Sequence, residues 1–290
     1  MQTKINKLCK ICGSNKLKIY RHTAKCENCK VLLYYPYPKS DTEITASGDT
    51  KTNGTNLEWY LRSSFSNHIN FTNMLLFTIK KSSNHKEIDI LDFGGGGGQF
   101  ALVCKSHFPL SKIYITDIND NSLLNEWSNY NIQINHDEFL SNNKKFDYIF
   151  LNDVFEHLSD PIEILTILSN KLKSNGKIFI DTPRQFWIYP ITKLISKKIY
   201  NKVLNGSVST AHLQIWSNKS FQIAINKVNL FIHKYEEIGE FTMDPDYYLD
   251  NMKINSYFLR LLGKFFFYFS KLFLKNKIIC VLKKNSKFLN

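Results

Sequence analysis

Five consecutive glycines, Gly94 to Gly98, follow directly on an apolar run, Ile88-Asp-Ile-Leu-Asp-Phe93. The run reads as a buried strand, and the segment after the glycines, Gln99 to Phe108, has helical patterning. A glycine-lined turn between strand and helix lets the backbone take positive φ and approach a ligand with no side chain in the way. The helix that follows aims its free N–H groups and the positive end of its dipole into the same crevice. Such a stretch is a cradle for a cofactor.

From Glu87 onward strand and helix alternate, which calls for a mostly parallel sheet covered on both faces. Strands are predicted at 88–93, 112–116, 131–135, 146–151 and 177–180, with helices at about 99–106, 122–128 and 161–171 between them. Past Pro183 the rhythm gives way to an aromatic and basic insertion, residues 183–216. A helix over 220–228 follows, then strands at 230–238 and 277–282. Ahead of the sheet, residues 41–86 divide into a polar linker and a helix over 57–81. In that helix Leu57, Leu61, Phe65, Ile69, Leu75, Leu76 and Ile79 recur at mostly helical spacing.

Residues 1–40 form a separate small module. Cys9-x-x-Cys12 and Cys26-x-x-Cys29 are two knuckles separated by thirteen residues, enough for a short hairpin. Four thiolates presented this way make a closed tetrahedral zinc site with no open position for chemistry. A module this small gains much of its folding free energy from the metal. Cys104 and Cys280 stand alone in apolar surroundings.

The formal net charge of +13 invites a nucleic-acid partner. Only four of the 38 basic residues are arginine, however, and the lysines are spread along the whole chain. Composition therefore points away from nucleic acid. No uncharged apolar run approaches the ~18 residues of a membrane span, and the N-terminal residues have no signal-peptide core, so a cytoplasmic protein is expected. Segment 254–274 is dense in aromatics, among them Phe265, Phe266, Phe267, Phe269 and Phe273, while Arg260, Lys264, Lys271 and Lys275 share one helical face. A peripheral helix on an anionic membrane would look like this. So would a helix packed on its own domain with its lysines reaching out to water, and the width of the apolar arc favours packing.

Two cofactors fit the glycine stretch taken alone. Gly96-x-Gly98-x-x-Ala101 satisfies the dinucleotide pattern, and Asp117 beyond the second strand could meet the ribose of either cofactor. The surrounding segments separate them. Leu-Asp-Phe-Gly-Gly-Gly-Gly-Gly (91–98) resembles the first motif of class I S-adenosylmethionine-dependent methyltransferases, and Asn-His-Asp-Glu-Phe-Leu (135–140) is similar to their third. Phe-Asp-Tyr-Ile-Phe-Leu-Asn-Asp-Val-Phe-Glu-His-Leu-Ser-Asp-Pro (146–161) resembles the segment after the fourth strand in one broad branch of that family. Ala-His-Leu-Gln-Ile-Trp-Ser (211–217) and the cysteine-rich front end share the resemblance, which covers residues 9–38 and 88–240. It implies an α/β fold with a Rossmann-like, seven-stranded, mostly parallel sheet and an antiparallel last strand, plus the four-cysteine module.

The same resemblance implies that Gly94, Gly96 and Gly98 face the methionine part of S-adenosylmethionine. Asp92 would hold the turn or the cofactor's amino group, Asp117 the ribose hydroxyls and Asp137 the adenine amino group, with Ile118, Glu138 and Asn152 also on the cofactor side. A hydroxyl acceptor needs a base within reach. His157 is the first candidate, followed by Asp153, His212 and Glu156. Arg184 and Tyr189, just after the fifth strand, are placed to meet the acceptor, where a guanidinium suits phosphate or carboxylate. Relatives with this front end act on sugars, nucleotide-linked sugars or other small metabolites, so a carbohydrate acceptor in glycan or secondary-metabolite synthesis is expected. RNA modification, and a non-catalytic zinc-ribbon binding protein on the same fold, are the alternatives.

Overall fold

The computed structural model describes residues 8–38, 57–80, 86–118, 130, 132–134, 136–185, 193–205, 208–209, 212–240, 244–273 and 275–285. In chain order, β1 (Leu17–Tyr20), β2 (Thr23–Cys26) and β3 (Leu32–Tyr34) precede helix α1 (Leu57–Thr78). The alternating part then runs β4 (Asp89–Phe93), α2 (Gln99–His107), β5 (Lys112–Thr116), β6 (Ile132–Gln133), α3 (His136–Ser141), β7 (Phe146–Asn152), α4 (Pro161–Asn170) and β8 (Leu172–Pro183). Helix α5 (Lys197–Asn205), β9 (Gln214–Ile215), α6 (Asn218–Asn226), β10 (Leu230–Ile238), α7 (Pro245–Asn251), α8 (Tyr257–Ser270) and β11 (Lys277–Lys284) complete the chain.

The central sheet has the order β10–β11–β8–β7–β4–β5–β6, six full strands and the two-residue β6 at one edge. Strands β4 to β8 are parallel, and β11 enters antiparallel between β8 and β10. The period-two alternation of a strand sorts its side chains onto two cores. Phe150 and Phe179 face Leu75 of α1, Ile79 just past its end, and Phe100 and Cys104 of α2. Ile149, Leu151, Ile178 and Ile180 face Leu165 and Leu168 of α4 and Phe221 and Ile225 of α6. This is the expected α/β architecture, and placing β7 beside β4 brings the end of the 146–152 strand next to the glycine turn.

Several elements differ from their sequence outlines. Strand β8 starts at Leu172, earlier than residue 177, because Leu172 already pairs with Phe146 ahead of a register shift. Among the described side chains of α1 and its end, the buried stripe is Met74, Leu75 and Ile79 with Phe71 beside it, whereas Ile69 and Leu76 point to solvent. The side chains of Leu57, Leu61 and Phe65 lie outside the described residues. The linker and the 122–128 helix lie outside the described residues.

The cysteine module is not a detached unit. Strands β1, β2 and β3 form an antiparallel sheet whose fourth strand is β9, through Leu32↔Ile215 and Leu33↔Gln214. The Ser217 hydroxyl donates to the Cys29 carbonyl at 2.7 Å, and Tyr37 donates to the Leu158 carbonyl at 3.2 Å. Residues far apart in sequence thus fix the ribbon against the end of the central sheet.

The aromatic helix packs against α7, but with the opposite face from the one expected. In α8 the face turned toward α7 carries Arg260, Gly263, Lys264, Phe267 and Ser270, a spacing of three and four. Arg260 pairs with Asp246 and Asp250, each at 2.7 Å, and Lys264 with Asp246 at 2.7 Å. A Cβ on Gly263 would come within 2.6 Å of Leu249, so the two helices meet closely there. The acidic residues of α7 draw the basic face inward, and the aromatic face is left outside.

Beneath the ribbon, Trp216 is fully buried, stacked on Phe155 at 4.6 Å and edge-on to Phe221 at 6.0 Å. Trp216→Ala is expected to lower stability by about 3–5 kcal/mol, read from the midpoint of urea denaturation.

Candidate active site

The glycine end of the site is built by the turn from β4 into α2. Gly94, Gly96 and Gly98 all have positive φ, at 73°, 51° and 78°. The amides of Gly94 and Gly95 donate to the Thr116 carbonyl at the end of β5, and that of Gly96 donates to Asp117 Oδ2 at 3.0 Å. Asp117 therefore holds the turn at the same time as it stands at the strand end. Space is as restrictive as conformation. A Cβ on Gly94 would lie 2.6 Å from Val154, and one on Gly95 would lie 2.6 Å from Asp92 Oδ2 and 2.8 Å from Ile115.

Asp92 is buried, and its Oδ2 has no hydrogen-bond partner. Burial, reinforced by Asp117, pushes its carboxyl up to about 8. A buried carboxylate without a partner is costly, and one whose cation is a ligand is not. Asn152, at the end of β7, likewise has both side-chain polar atoms buried and unpartnered. These orphaned groups, and glycines that admit no side chain, fit a cofactor that brings its own ammonium and hydroxyl groups. Ile118 and Glu138 are exposed nearby in sequence, while the side chain of Asp137 lies outside the described residues.

The opposite end is built by the loop after β7. Asp153 takes a left-handed φ of 52°, and the loop turns back through His157 N–H to the Val154 carbonyl at 2.9 Å. Val154 is the residue against Gly94, so the His157 turn abuts the glycine turn. His157 is partly exposed, with Nε2 3.7 Å from Glu156 Oε1. Glu156 is buried, accepts from Thr182 Oγ1 at 2.9 Å through Oε2, and has no hydrogen-bond partner on Oε1. Burial pushes its carboxyl up to about 7, against the opposing pull of His157.

Residues 212–216 complete this end. His212 packs edge-on to His157 with ring centroids 5.0 Å apart. Burial first, then His157, pushes its imidazole down to about 4, which keeps it neutral at ordinary pH. The amides of Leu213 and Gln214 donate to the Glu156 carbonyl, and the Gln214 side chain donates to the carbonyls of Phe155 and Leu158. The loop that carries His157 is thus clamped from both sides. Gln214 lies inside the 211–217 resemblance, though with no role assigned to it, and Thr182 lies in no motif.

Asp153 faces elsewhere. Its carboxylate lies 2.9 Å from Lys277 Nζ, which also meets Asp181 at 2.9 Å and Glu240 at 3.0 Å. Burial alone would push that ammonium down, but the three carboxylates hold it well above its ordinary value. Arg184 is also committed. It pairs with Glu237 at 2.9 Å and donates to the Lys275 carbonyl at 3.0 Å, with little exposure, which makes it a tie between β8, β10 and the approach to β11. The expectation that its guanidinium meets an acceptor is replaced by this role. Tyr189 lies outside the described residues.

Away from the cleft, Cys9, Cys12, Cys26 and Cys29 bring four sulfurs within 4.8 Å of one another, with none in a disulfide. The closest pairs are Cys9–Cys29 and Cys12–Cys26, each at 3.6 Å. A soft, closed, four-sulfur donor set of this kind fits a structural metal ion such as zinc.

A family model described as a methyltransferase domain matches residues 52–234. The chain belongs to that family. A methyltransferase-domain relative, malonyl-[acyl-carrier protein] O-methyltransferase 1 of Ilyobacter polytropus, is 27% identical over 163 residues, which is 54% of this chain and 61% of that protein. The chain thus spans about three fifths of that relative's length. Among solved structures, a chain of the complex between the Haloferax volcanii Trm112 methyltransferase activator and a putative methyltransferase superposes with a TM-score of 0.56 at 11% identity, covering 81% of this chain and 97% of that one. Coclaurine N-methyltransferase, bound to N-methylheliamine and SAH, superposes with a TM-score of 0.50 at 13% identity, covering 74% and 70%. At such identities the likeness speaks for the methyltransferase fold.

The buried acids give this family member a pH signature. A carboxyl with a raised folded pKa favours folding at low pH, and the benefit is lost as pH climbs from the unfolded value, 3.8 for Asp92, through about 8. Stability should therefore fall between about pH 5 and about pH 8. Asp92→Asn should flatten part of that fall and leave the share of Glu156, whose carboxyl burial also raises. Urea denaturation at the two pH values reads both.

Proposed function

We propose that the protein transfers a methyl group from S-adenosylmethionine to a hydroxyl of a small molecule, with a sugar or nucleotide-linked sugar as the acceptor class. The observation that carries this is the contact of Val154 with Gly94, which sets the Glu156–His157–His212 group directly beside the glycine cradle. When bound, S-adenosylmethionine supplies a methyl group already activated by its sulfonium. Asp92 and Asn152 would hold its polar end, and Asp117 its ribose. The chain must then align an acceptor in line and take its proton.

His157 does the second task. Its Nε2 faces the buried Glu156 carboxyl, and a proton taken by the ring would turn that approach into an ion pair. Thr182 keeps the carboxyl in place from behind. Neutral His212 walls the ring in without competing for the proton. A carboxylate acceptor, such as a malonyl group, arrives without a proton to remove and would have no use for this arrangement. The base is what supports a hydroxyl.

His157→Ala should cut kcat by about 10²–10⁴-fold while leaving the dissociation constant for S-adenosylhomocysteine unchanged by calorimetry. A screen of nucleotide sugars and free sugars for S-adenosylhomocysteine release gives the acceptor. No binding of S-adenosylhomocysteine to the intact protein would rule the reading out. The four cysteines are proposed to hold one structural zinc ion. Metal analysis should find it, and a strong chelator should lower the melting temperature of the wild type.

A further inference from the structure

Helix α8 is built the wrong way round for a soluble helix, with its charged and small residues inside and its large apolar residues outside. Tyr257 is 83% exposed, Phe265 68% and Leu272 70%, with Phe258, Phe266 and Phe269 likewise on the open side. A contiguous apolar patch of this kind marks an interaction surface. We propose that α8 is an interfacial helix that seats the protein on an anionic lipid bilayer.

Three observations select this occupant. From Met252 to Asn276 the chain carries five basic residues, Lys253, Arg260, Lys264, Lys271 and Lys275, and no acidic one. The acids that pair Arg260 and Lys264 belong to α7, behind the helix, and Lys253, Lys271 and Lys275 remain at its exposed ends. Positive charge at both ends of an apolar face suits anionic headgroups, whereas a second copy of the same face would set lysines against lysines. The segment before α5 repeats the chemistry on a smaller scale. Leu194 and Ile195 are 86% and 68% exposed, among Lys193, Lys197 and Lys198. Finally, no described helix is long and apolar enough to cross a membrane, which fits a helix lying in the surface.

The position of the helix links docking to the reaction. Glu240 and Lys277 flank the α7–α8 hairpin, and both sit in the cluster that fixes Asp153 at the start of the His157 loop. The hairpin that carries α8 is therefore tied at its base to the start of the His157 loop. Granted the methyl-transfer reading, the acceptor class this favours is a hydroxyl carried on a lipid anchor at the membrane surface.

Co-sedimentation of the full chain with phosphatidylcholine vesicles, with and without phosphatidylglycerol, tests the docking. Calorimetry with S-adenosylhomocysteine, run beside it, tests the methyl-transfer reading separately. Partition is expected to be at least about tenfold stronger on the anionic vesicles and to weaken about tenfold or more in Lys271→Gln/Lys275→Gln. It should be lost in Phe265→Glu/Phe269→Glu with S-adenosylhomocysteine binding intact. Should that variant misfold, Leu272→Glu/Phe273→Glu, beyond the last turn of the helix, serves the same purpose. Wild-type protein that ignores anionic vesicles would overturn the proposal. So would binding that survives both apolar variants, or a dimer that the same variants dissociate in protein with no affinity for lipid.

Discussion

Lys277 stands at the first residue of β11, with its ammonium buried among Asp153, Asp181 and Glu240 at 2.9–3.0 Å. Through one cation it joins the end of β7, the end of β8, the exit from β10 and the return from the α7–α8 hairpin. A buried ion pair of this sort adds little net stability over an apolar packing, but removal of one partner leaves uncompensated charge at a cost of about 3–5 kcal/mol. Its consequence is geometric. Asp153 has a left-handed backbone and a side chain held by Lys277, and the His157 loop starts from that residue.

The cleft then divides into two halves with different physics. The donor half is rigid through backbone: glycines at positive φ, amides donating to Thr116 and Asp117, and no room for side chains. Its side-chain polar groups are left open, which is a cost in the empty protein and a source of affinity when a complementary ligand arrives. The acceptor half is rigid through side chains: Thr182 on Glu156, Gln214 on two loop carbonyls, His212 against His157. Preorganisation of this kind would let the proposed proton transfer proceed with little rearrangement.

Local features made the donor half readable in advance. A strand, a glycine run and an acid at the next strand end lie within about thirty residues, and their periodicity survives without tertiary context. The acceptor half was readable only in its parts. His157 and His212 stood out as residues, but what relates them is the pairing of a two-residue strand, β9, with a ribbon some 180 positions away, as Leu32↔Ile215 shows. The role of Lys277 was hidden for the same reason, since its partner Asp153 is separated from it by 124 residues. Arg184 looked available because position alone cannot reveal that Glu237 already occupies it. For α8, spacing showed correctly that Arg260 and Lys264 share a face, but spacing cannot say which face turns inward. Asp246 and Asp250, on a different short helix, decide that.

The hydroxyl of Ser217 performs two duties. It accepts from the Ser220 amide, capping α6, and donates to the carbonyl of Cys29 inside the second knuckle. Ser217 follows directly on the segment that clamps the His157 loop. Damage to the cysteines by an oxidant, or loss of their metal, would therefore spread along β9 into the acceptor half and stop short of the glycine turn. An enzyme injured in this way would still take up its methyl donor. It would fail at the far side of the cleft, so a cofactor-binding assay would report it as healthy.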